Sequence, residues 1–353
     1  MANGTAKTTG LAFSRETFAK LTPGPFLQAH LQQAEPVRAN GRSLDAFRTP
    51  TINTGSLSHS NGSAVVRIGD TAIVCGVRAE ILLASDIPNP PSDDFIEDEI
   101  IEQMGLLVPN VELSTGCSPN HLPGNPPSTL AQALSYRILS LLHTANLIDL
   151  QDLRIQHTEP PTDEELPDEG PKVVTKAYWT LYLDVLCIAL DGNPFDALWA
   201  GVLSALQNTQ LPKAWWDPDR EMIVCSPLAS EATRLQLRHL PVASTFAVVS
   251  TASLLKARSE AQSWVLADPD DFEEAVCVET VSAVVTSEDD GRESVLKLEK
   301  CGGGHVGKVE MGPCMRLAHQ RWRDWQVNSC HYSRTPWRRL SLDTKFPTDD
   351  LAC

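Results

Sequence analysis

The sequence predicts an α+β fold made of two similar halves. In each half, short segments with apolar residues at every second position, typical of half-buried β-strands, precede a segment with amphipathic helical spacing. Between the halves, the helix predicted over residues 194–207 is apolar on nearly all sides, so other elements must cover more than one of its faces. Strands followed by helices, twice, indicate an α+β chain, although 353 residues also leave a single large α/β domain open.

Composition and charge exclude several classes of protein. Hydrophobic residues make up 42% of the chain and charged residues 21%, which excludes wholesale disorder. The net charge of −16 repels a polyanion and excludes a free-standing basic nucleic-acid binder. Because there is neither an apolar run long enough to span a bilayer nor a signal peptide, we expect a soluble intracellular protein with no membrane partner.

The cysteines and histidines show no pattern of metal ligands. The nine cysteines are scattered without a C-x-x-C pair, and the nine histidines lack the spacing of a zinc-binding helix. We therefore expect reduced, mostly buried thiols, with no metal and no cofactor.

The first half begins with a polar extension, residues 1–35, that contains short helices predicted over 14–20 and 25–34. From residue 49 to residue 81 the apolar spacing changes to every second residue, interrupted by the turn dipeptides Asn61-Gly62 and Gly69-Asp70. This pattern predicts an antiparallel meander.

The acidic, proline-containing segments 84–102 and 156–170 are predicted to be a solvated loop and a surface insertion. Between them we predict a strand over 105–111 and a helix capped by Ser128. The apolar stripe of that helix comprises Leu130, Leu134, Ile138, Leu141, Leu142 and Ala145. A long apolar strand over 177–190 then leads through a turn into the helix 194–207.

The second half has strands predicted over 244–250, 263–266, 275–286 and 295–299, with residues 289–291 as a hairpin turn. A closing helix follows, and its apolar stripe comprises Met311, Met315, Ala318, Trp322 and Trp325.

Two motifs have both a functional and a structural interpretation. Residues 302–308 match G-x-x-x-x-G-K, but Val309 replaces the Ser or Thr that holds Mg²⁺, which favours a glycine-rich turn over a phosphate-binding loop. The acidic run 268–274 fits either a divalent metal site or a solvated turn between strands, and the turn is the favoured interpretation. No G-x-S-x-G elbow anchors a hydrolase triad.

Several sequence strings resemble RNase PH-like ring subunits of the eukaryotic RNA exosome. They are residues 38–48 (RANGRSLDAFR), 53–56 (NTGS), 61–80 (NGSAVVRIGDTAIVCGVRAE), 108–113 (VPNVEL), 183–193 (LDVLCIALDGN) and 240–248 (LPVASTFAV). The resemblance covers residues 36 to 326. It implies an RNase PH fold of two β-α units of the ribosomal-protein-S5 type, with antiparallel or mixed sheets and helices packed between them. The expected boundaries are an N-terminal unit at 36–215, a C-terminal unit at 216–327 and a basic, aromatic tail at 328–353.

The resemblance also implies where a catalytic site would lie. Active relatives cleave RNA with inorganic phosphate, so their site needs cations, usually arginine, and acids for a metal ion. Where those relatives carry an arginine after a glycine turn, this chain reads Asn193, Pro194 and Phe195. Residues 79–136 and 177–212 contain no Lys or Arg, and Pro126 and Pro127 remove two N–H donors from a helix entrance.

The paired acids of the family correspond to Asp268 and Glu274. Acids without cations would repel phosphate, so the resemblance implies a retired phosphorolytic site, of which Asn193, Pro194, Phe195, Asp268 and Glu274 are vestigial positions.

Two function classes follow. The first is a non-catalytic structural subunit of a hexameric RNase PH-like ring that forms the RNA channel. Its implied partners are other ring subunits, cap subunits with S1 and KH domains, an associated hydrolytic exoribonuclease, and RNA in the assembled channel. The alternative is a phosphorolytic 3′-5′ exoribonuclease whose composite site a partner's arginines complete. The resemblance implies a location in nucleus, nucleolus and cytoplasm.

The C-terminal segment reverses the charge of the chain. Residues 316–345 hold seven cations and two acids, with aromatic residues interleaved. Trp322 and Trp325 belong to the closing helix, which leaves four residues as a free patch: Arg334, Trp337, Arg338 and Arg339. These are candidates either for RNA contact, through stacking and phosphate pairing, or for docking on the protein's own acidic surface or a neighbouring subunit.

Overall fold

The computed structural model describes residues 14–88, 97–119, 121, 128–159, 172–251, 262–287 and 291–332. The helices are α1 (Arg15–Leu21), α2 (Pro23–Leu31), α3 (Glu97–Gln103), α4 (Thr129–Ala145), α5 (Leu150–Leu153), α6 (Pro194–Asn208), α7 (Asp271–Val276) and α8 (Lys308–Tyr332). The strands are β1 (Pro50–Thr54), β2 (Gly62–Ile68), β3 (Thr71–Leu83), β4 (Leu107–Leu113), β5 (Arg154–Glu159), β6 (Lys172–Ala189), β7 (Gln210–Leu211), β8 (Ala214–Asp217), β9 (Met222–Cys225), β10 (Thr233–Arg234), β11 (Val242–Ser250), β12 (Ser263–Ala267), β13 (Glu279–Ser287) and β14 (Glu293–Cys301).

The first sheet has the strand order β1-β2-β3-β6-β4, and β5 also pairs with β6. All its pairs are antiparallel except β4 with β6, which is parallel, so the sheet is mixed. The predicted meander is present as β1 to β3. On β3, Ile73, Cys75 and Val77 are buried on one face, as the alternation requires.

The second sheet is fully antiparallel, with the order β12-β11-β13-β14, and α8 packs against β11, β12 and β13. The α+β prediction is confirmed. Small antiparallel pairs, β8 with β9 and β7 with β10, connect the two halves. The expected boundary between the N-terminal and C-terminal units, after residue 215, falls within β8. The position of this boundary stays a prediction.

Helix α6 lies between the two sheets. It packs on β2 and β3 on one side and on β11 on the other, and its residues from Pro194 to Leu206 are buried. Trp199 is 1% exposed, and its Nε1 donates a hydrogen bond of 2.8 Å to the carbonyl of Pro241. The nearly all-apolar sequence of this helix is explained by apolar neighbours on opposite faces.

Helix α4 begins as predicted, because the Ser128 hydroxyl accepts a hydrogen bond from the backbone N–H of Ala131. The predicted burial of Leu130 is wrong. Leu130 is 39% exposed, and Ala131 is buried in the apolar stripe instead. In the first turn of a helix a one-residue change rotates the side chain by about 100°, enough to leave the core-facing stripe.

The two acidic segments are more ordered than predicted. The loop predicted over 84–102 is wrong in its last part, because residues from Glu97 form α3 and bury Ile100 and Ile101. The insertion predicted over 156–170 is wrong at its start, because β5 continues to Glu159 and pairs with β6. Apolar burial and ladder hydrogen bonds outweigh the local preference of acidic residues for solvent. Residues 89–96 and 160–171 lie outside the described residues.

The glycine-rich segment 302–308 connects β14 to α8 and forms a turn held by carboxylates of the same chain. The backbone N–H of Gly304 donates to Glu279, and that of Gly307 donates to Glu310 over 2.8 Å. A Cβ on Gly302 would lie 2.4 Å from the carbonyl oxygen of Val278. The structure therefore supports the turn interpretation, since these two amides already hydrogen-bond to the chain's own acids.

The closing helix packs as predicted. Ala318 is buried, while Met311, Met315, Trp322 and Trp325 are partly buried against the core. Of the cysteines whose side chains the structure describes, Cys75, Cys117, Cys187 and Cys314 are buried. Pro126, Pro127, residues 288–290 and the tail candidates Arg334, Trp337, Arg338 and Arg339 lie outside the described residues. No described helix is long and apolar enough to cross a membrane.

Candidate functional site at the junction of the two units

The vestigial positions predicted from the sequence meet where α6 begins beside the second sheet. The side-chain amide of Asn193 donates to Asp268 Oδ1 over 2.7 Å, and the backbone N–H of Asn193 donates to Glu274 Oε1 over 2.8 Å. At Gly192, where φ is +70°, a Cβ would lie 2.4 Å from the carbonyl carbon of Asp270. Glycine is therefore required for this close approach of the two turns.

Asp268 is fully buried and paired with arginines of the N-terminal segment. Its Oδ2 accepts a hydrogen bond of 2.8 Å from Arg48 Nε and one of 3.3 Å from Arg42 Nη1. Burial alone would raise the pKa of Asp268, but the hydrogen bond and charge of Arg48, with the charge of Arg321, lower it to about 2. The prediction that the acids of this site lack cations is wrong, because Arg42 and Arg48 pair with Asp268. Both arginines lie more than 200 residues before Asp268 in the sequence, so local sequence patterns do not reveal the pairing.

The predicted solvated turn over 268–274 is also wrong, because its second half is helix α7. Asp270 and Glu273 form a capping box at the start of α7. Glu273 is fully buried, and its carboxylate accepts from both Nε and Nη2 of Arg38. Of the acids of this run, Asp268 and Glu273 are therefore buried with arginine partners, whereas Asp271 is exposed.

A third buried ion pair, between Asp196 and Arg321, continues this network along α6. Asp196 accepts hydrogen bonds from Arg321 of α8, from the Thr245 hydroxyl and from Asn193. The Arg321 guanidinium also lies 4.4 Å from the centre of the Phe47 ring. The network thus joins the N-terminal segment, α6, the second sheet and α8.

Beside this network lies a small cavity of about 200 Å³, here called the junction cavity. Its lining includes Leu134, Arg137, Asn193, Phe195, Asp271 and Glu274. Phe195, which the resemblance predicts to stand at the arginine position of active relatives, is 2% exposed, so its ring is buried beside the cavity.

Arg137 is the cation of the junction cavity, and its role was missed by sequence reasoning. Its guanidinium carbon lies 3.9 Å from the centre of the Phe195 ring, while Nε donates to Glu299 over 2.7 Å and Nη2 donates to Ser282 over 3.0 Å. The only signal in the sequence is its position as the first cation after the cation-free stretch 79–136. Glu299 also pairs with Lys297, whose Nζ lies 2.8 Å from Oε1, so this one carboxylate is shared by two cations.

Glu274 is the titratable group of the junction cavity. Burial raises the pKa of Glu274 to about 7, and the neighbouring charge of Asp271 adds to this rise, although the hydrogen bond from Asn193 opposes it. Its carboxyl group therefore changes charge near neutral pH.

Replacing Glu274 with glutamine is expected to stabilise the protein at pH 8 by on the order of 1 kcal/mol. A folded-state pKa above the unfolded value of 4.5 means that ionising Glu274 costs folding free energy, so wild-type stability falls as pH rises from 4.5 through about 7. Urea unfolding of both proteins between pH 5 and pH 8 measures this, and the curves should converge at the acidic end. A constant difference across that range would contradict the assignment.

The metal ion of active relatives does not fit these residues. Asp268 already has arginine partners, and within the described part of the chain no group of three or more His, Cys, Asp or Glu side chains could hold a metal ion. The structure therefore supports no metal-dependent step at this site.

The architecture and the site together define the class of protein. A family model described as the 3′ exoribonuclease family, domain 1, of RNase PH type, matches residues 46–212. Two solved structures share the fold. The Archaeoglobus fulgidus exosome with RNA bound to the active site has a TM-score of 0.60 at 21% identity, covering 86% of this chain and 96% of that one. An archaeal exosome core has a TM-score of 0.57 at 21% identity, covering 89% and 100%.

Curated relatives are more specific. The chain is 35% identical to exosome complex component rrp43 of Schizosaccharomyces pombe, over 88% of this chain and 97% of that protein. It is 28% identical to exosome complex component Rrp42 of Methanothermobacter thermautotrophicus, over 80% and 86%. The chain belongs to the RNase PH-like family of exosome components.

Proposed function

We propose that this chain is a non-catalytic structural subunit of an RNase PH-like exosome ring. The observation that carries the proposal is the occupied arginine position: Phe195 is buried there, and Arg137 above it is paired with Glu299. Phosphate binding needs several convergent cations, whereas Arg137 is the one Lys or Arg among the lining residues and Asp271 and Glu274 are acids of the same lining. The similarity to exosome components over nearly the whole chain supports a place in the ring.

The subunit would act through its shape. We propose that it assembles with other RNase PH-like subunits into a hexamer, helps to line the RNA channel for 3′-to-5′ processing and decay, and supports cap subunits and a hydrolytic exoribonuclease. A ring with this role is proposed for nucleus, nucleolus and cytoplasm, and imaging of the tagged chain in cells tests that location.

The proposal is tested by reconstitution with and without this chain. We expect the native mass of the full assembly to correspond to a complete ring with this subunit, and we expect no stable ring without it. The purified chain, given RNA and inorganic phosphate, should release no nucleoside diphosphates. A bacterial RNase PH in the same assay serves as the positive control. Diphosphate release by the chain alone would contradict the proposal.

The alternative, a composite phosphorolytic site completed by a partner, predicts a different result. In that case the assembled ring would release nucleoside diphosphates, and replacing Glu274 with glutamine in this chain would abolish the release. The structural role predicts that this substitution leaves every phosphorolytic rate of the ring unchanged.

The basic tail is proposed as a contact segment. Truncating the chain after Tyr332 removes Arg334, Trp337, Arg338 and Arg339. If the tail contacts RNA, an intact ring should retain RNA several-fold less well, with a weaker dependence on salt. If it docks on protein, ring assembly should fail instead. Unchanged RNA retention and unchanged assembly would contradict both interpretations.

A further inference from the structure

Two buried cysteines from different segments lie side by side where β4 and β6 end. Ser114, which follows β4, donates its backbone N–H to the carbonyl of Cys187 over 2.9 Å. The N–H of Cys117 donates to the carbonyl of Ser114 over 3.0 Å, and Gly116 has a φ of +86° at the third position of this turn. A turn of this kind reverses the chain, so Cys117 returns toward β6, where its carbonyl accepts a hydrogen bond of 2.9 Å from Leu190.

The side chains of the two cysteines also meet. Their thiol groups share a hydrogen bond. For the buried Cys75 and Cys314, burial and a neighbouring carboxylate raise the thiol pKa, whereas the neighbour of Cys187 is a second thiol. A disulfide bond requires two sulfur atoms that can meet without a large movement of the backbone, and the turn provides this arrangement.

The surroundings give the two thiols different roles. Burial raises the pKa of both, to about 12 for Cys187, so neither reacts rapidly. At Cys117 the backbone N–H groups of Ser118 and of Cys117 itself oppose this rise, as does the hydrogen bond with Cys187. Cys117 is also the more accessible thiol, with 7% exposure against 0% for Cys187. Because the thiolate is the nucleophile, Cys117 reacts first with an external oxidant, and Cys187 acts in the second step.

We propose that Cys117 and Cys187 are a redox modification site, which a small-molecule disulfide such as oxidised glutathione converts into a disulfide bond. The Cys117 thiolate attacks one sulfur of oxidised glutathione, the S–S bond of glutathione breaks, and one glutathione leaves with the proton that Cys117 lost. The Cys187 thiolate then attacks the Cys117 sulfur of the mixed disulfide and displaces the second glutathione, which takes the proton of Cys187. The two cysteines lose two electrons and two protons, and oxidised glutathione gains them as two thiols. The proposal does not depend on the proposed ring function.

The disulfide bond would connect two parts of the first half. It would close a loop of chain that contains α4 and β5 and would fix the turn to the end of β6. Ser118 and His121, which follow the turn, line the junction cavity, so this part of the cavity wall would be fixed as well. A disulfide bond stabilises mainly by restricting the unfolded chain, and the effect increases with loop length. The oxidised protein is therefore expected to unfold at a higher urea concentration than the reduced protein.

The test uses the full chain, first reduced and then incubated under native conditions with oxidised glutathione. Free thiols are blocked with N-ethylmaleimide, and digestion with pepsin at acidic pH, which prevents further exchange, is followed by mass spectrometry without reduction. We expect a peptide pair joined through Cys117 and Cys187, with the two thiol hydrogen atoms missing from its mass. A chain unfolded in urea during the incubation should give a clearly smaller share of this pair, because its nine cysteines can pair in many ways.

Two variants extend the test. Cys187→Ala should abolish the cross-link, leave Cys117 as a mixed disulfide with glutathione, and remove the upward shift of the urea midpoint. The matched control is Cys314→Ala, which removes another buried thiol and should leave both the cross-link and the shift unchanged. The comparison of native with unfolded wild type needs no variant, so the proposal remains testable even where Cys187→Ala does not fold.

Absence of the peptide pair Cys117–Cys187 from the native wild-type protein would overturn the proposal. An equal share of this pair in the native and the unfolded chain would overturn it too, since the fold would then not select the pair. Loss of the cross-link in Cys314→Ala has the same consequence. Neither phosphorolysis nor ring assembly enters these measurements, so a failure here is distinct from a failure of the proposed function.

Discussion

Replacing Asp268 with alanine is expected to lower the free energy of unfolding by about 3–5 kcal/mol. Asp268 is fully buried, and its removal leaves the guanidinium groups of Arg42 and Arg48 without their shared carboxylate. Asn193 would lose a hydrogen-bond acceptor at the same time. The expected effect is large because a buried arginine charge without its carboxylate raises the free energy of the folded state by more than the intact ion pair lowers it. Urea unfolding of the full chain, followed by tryptophan fluorescence, measures it.

The matched control is Asp70→Ala, which breaks an exposed pair with Arg67. The two side chains are 80% and 63% exposed, so this substitution should change the free energy of unfolding by less than about 0.5 kcal/mol. Asp268→Asn, which keeps the shape but removes the charge, should fall between the two. Equal effects of Asp268→Ala and Asp70→Ala would show that the buried network does not stabilise the junction.

A substitution of comparable effect is Trp199→Ala, which we expect to cost about 3–5 kcal/mol. The indole lies in the helix between the two sheets and is 1% exposed, so its removal leaves a large cavity. It also leaves the carbonyl of Pro241, at the start of the second sheet, without its donor. Because α6 packs on both sheets, we expect a single unfolding transition at a lower denaturant concentration, seen by circular dichroism.

Trp215→Ala is the control for this substitution, since it removes the same side chain from a position that is 42% exposed. We expect a loss below about 1 kcal/mol there. Trp199→Phe should retain most of the apolar burial but lose the bond to Pro241, for a loss of about 1–3 kcal/mol. If Trp199→Ala produced two separate transitions, the halves would be independent units and this account of α6 would be wrong.

Phe195 and Arg137 show how far sequence reasoning about the site reaches. The prediction that Phe195 replaces an arginine rests on the local turn alone, because Asp191, Gly192 and Asn193 lie directly before it in sequence. The sequence could not predict that Arg137 stacks on this ring and pairs with Glu299. The three residues lie on α4, α6 and β14, which are distant from one another in sequence. Nothing in local spacing encodes such a pairing.

The sequence by itself determined the architecture: periodicity of two and of 3.6 residues defines the strands and helices, and the all-apolar α6 requires two layers around it. Only the tertiary structure decided the state of the acids. A run such as 268–274 has the composition of a solvated loop, and local composition favours that state when nothing else is nearby. Folding brings Arg38, Arg42 and Arg48 to Asp268 and Glu273, and the positive charge and hydrogen bonds of these arginines compensate carboxylates that would otherwise be buried alone. Charge pairing between distant segments depends on three-dimensional proximity, which hydrophobic periodicity does not specify.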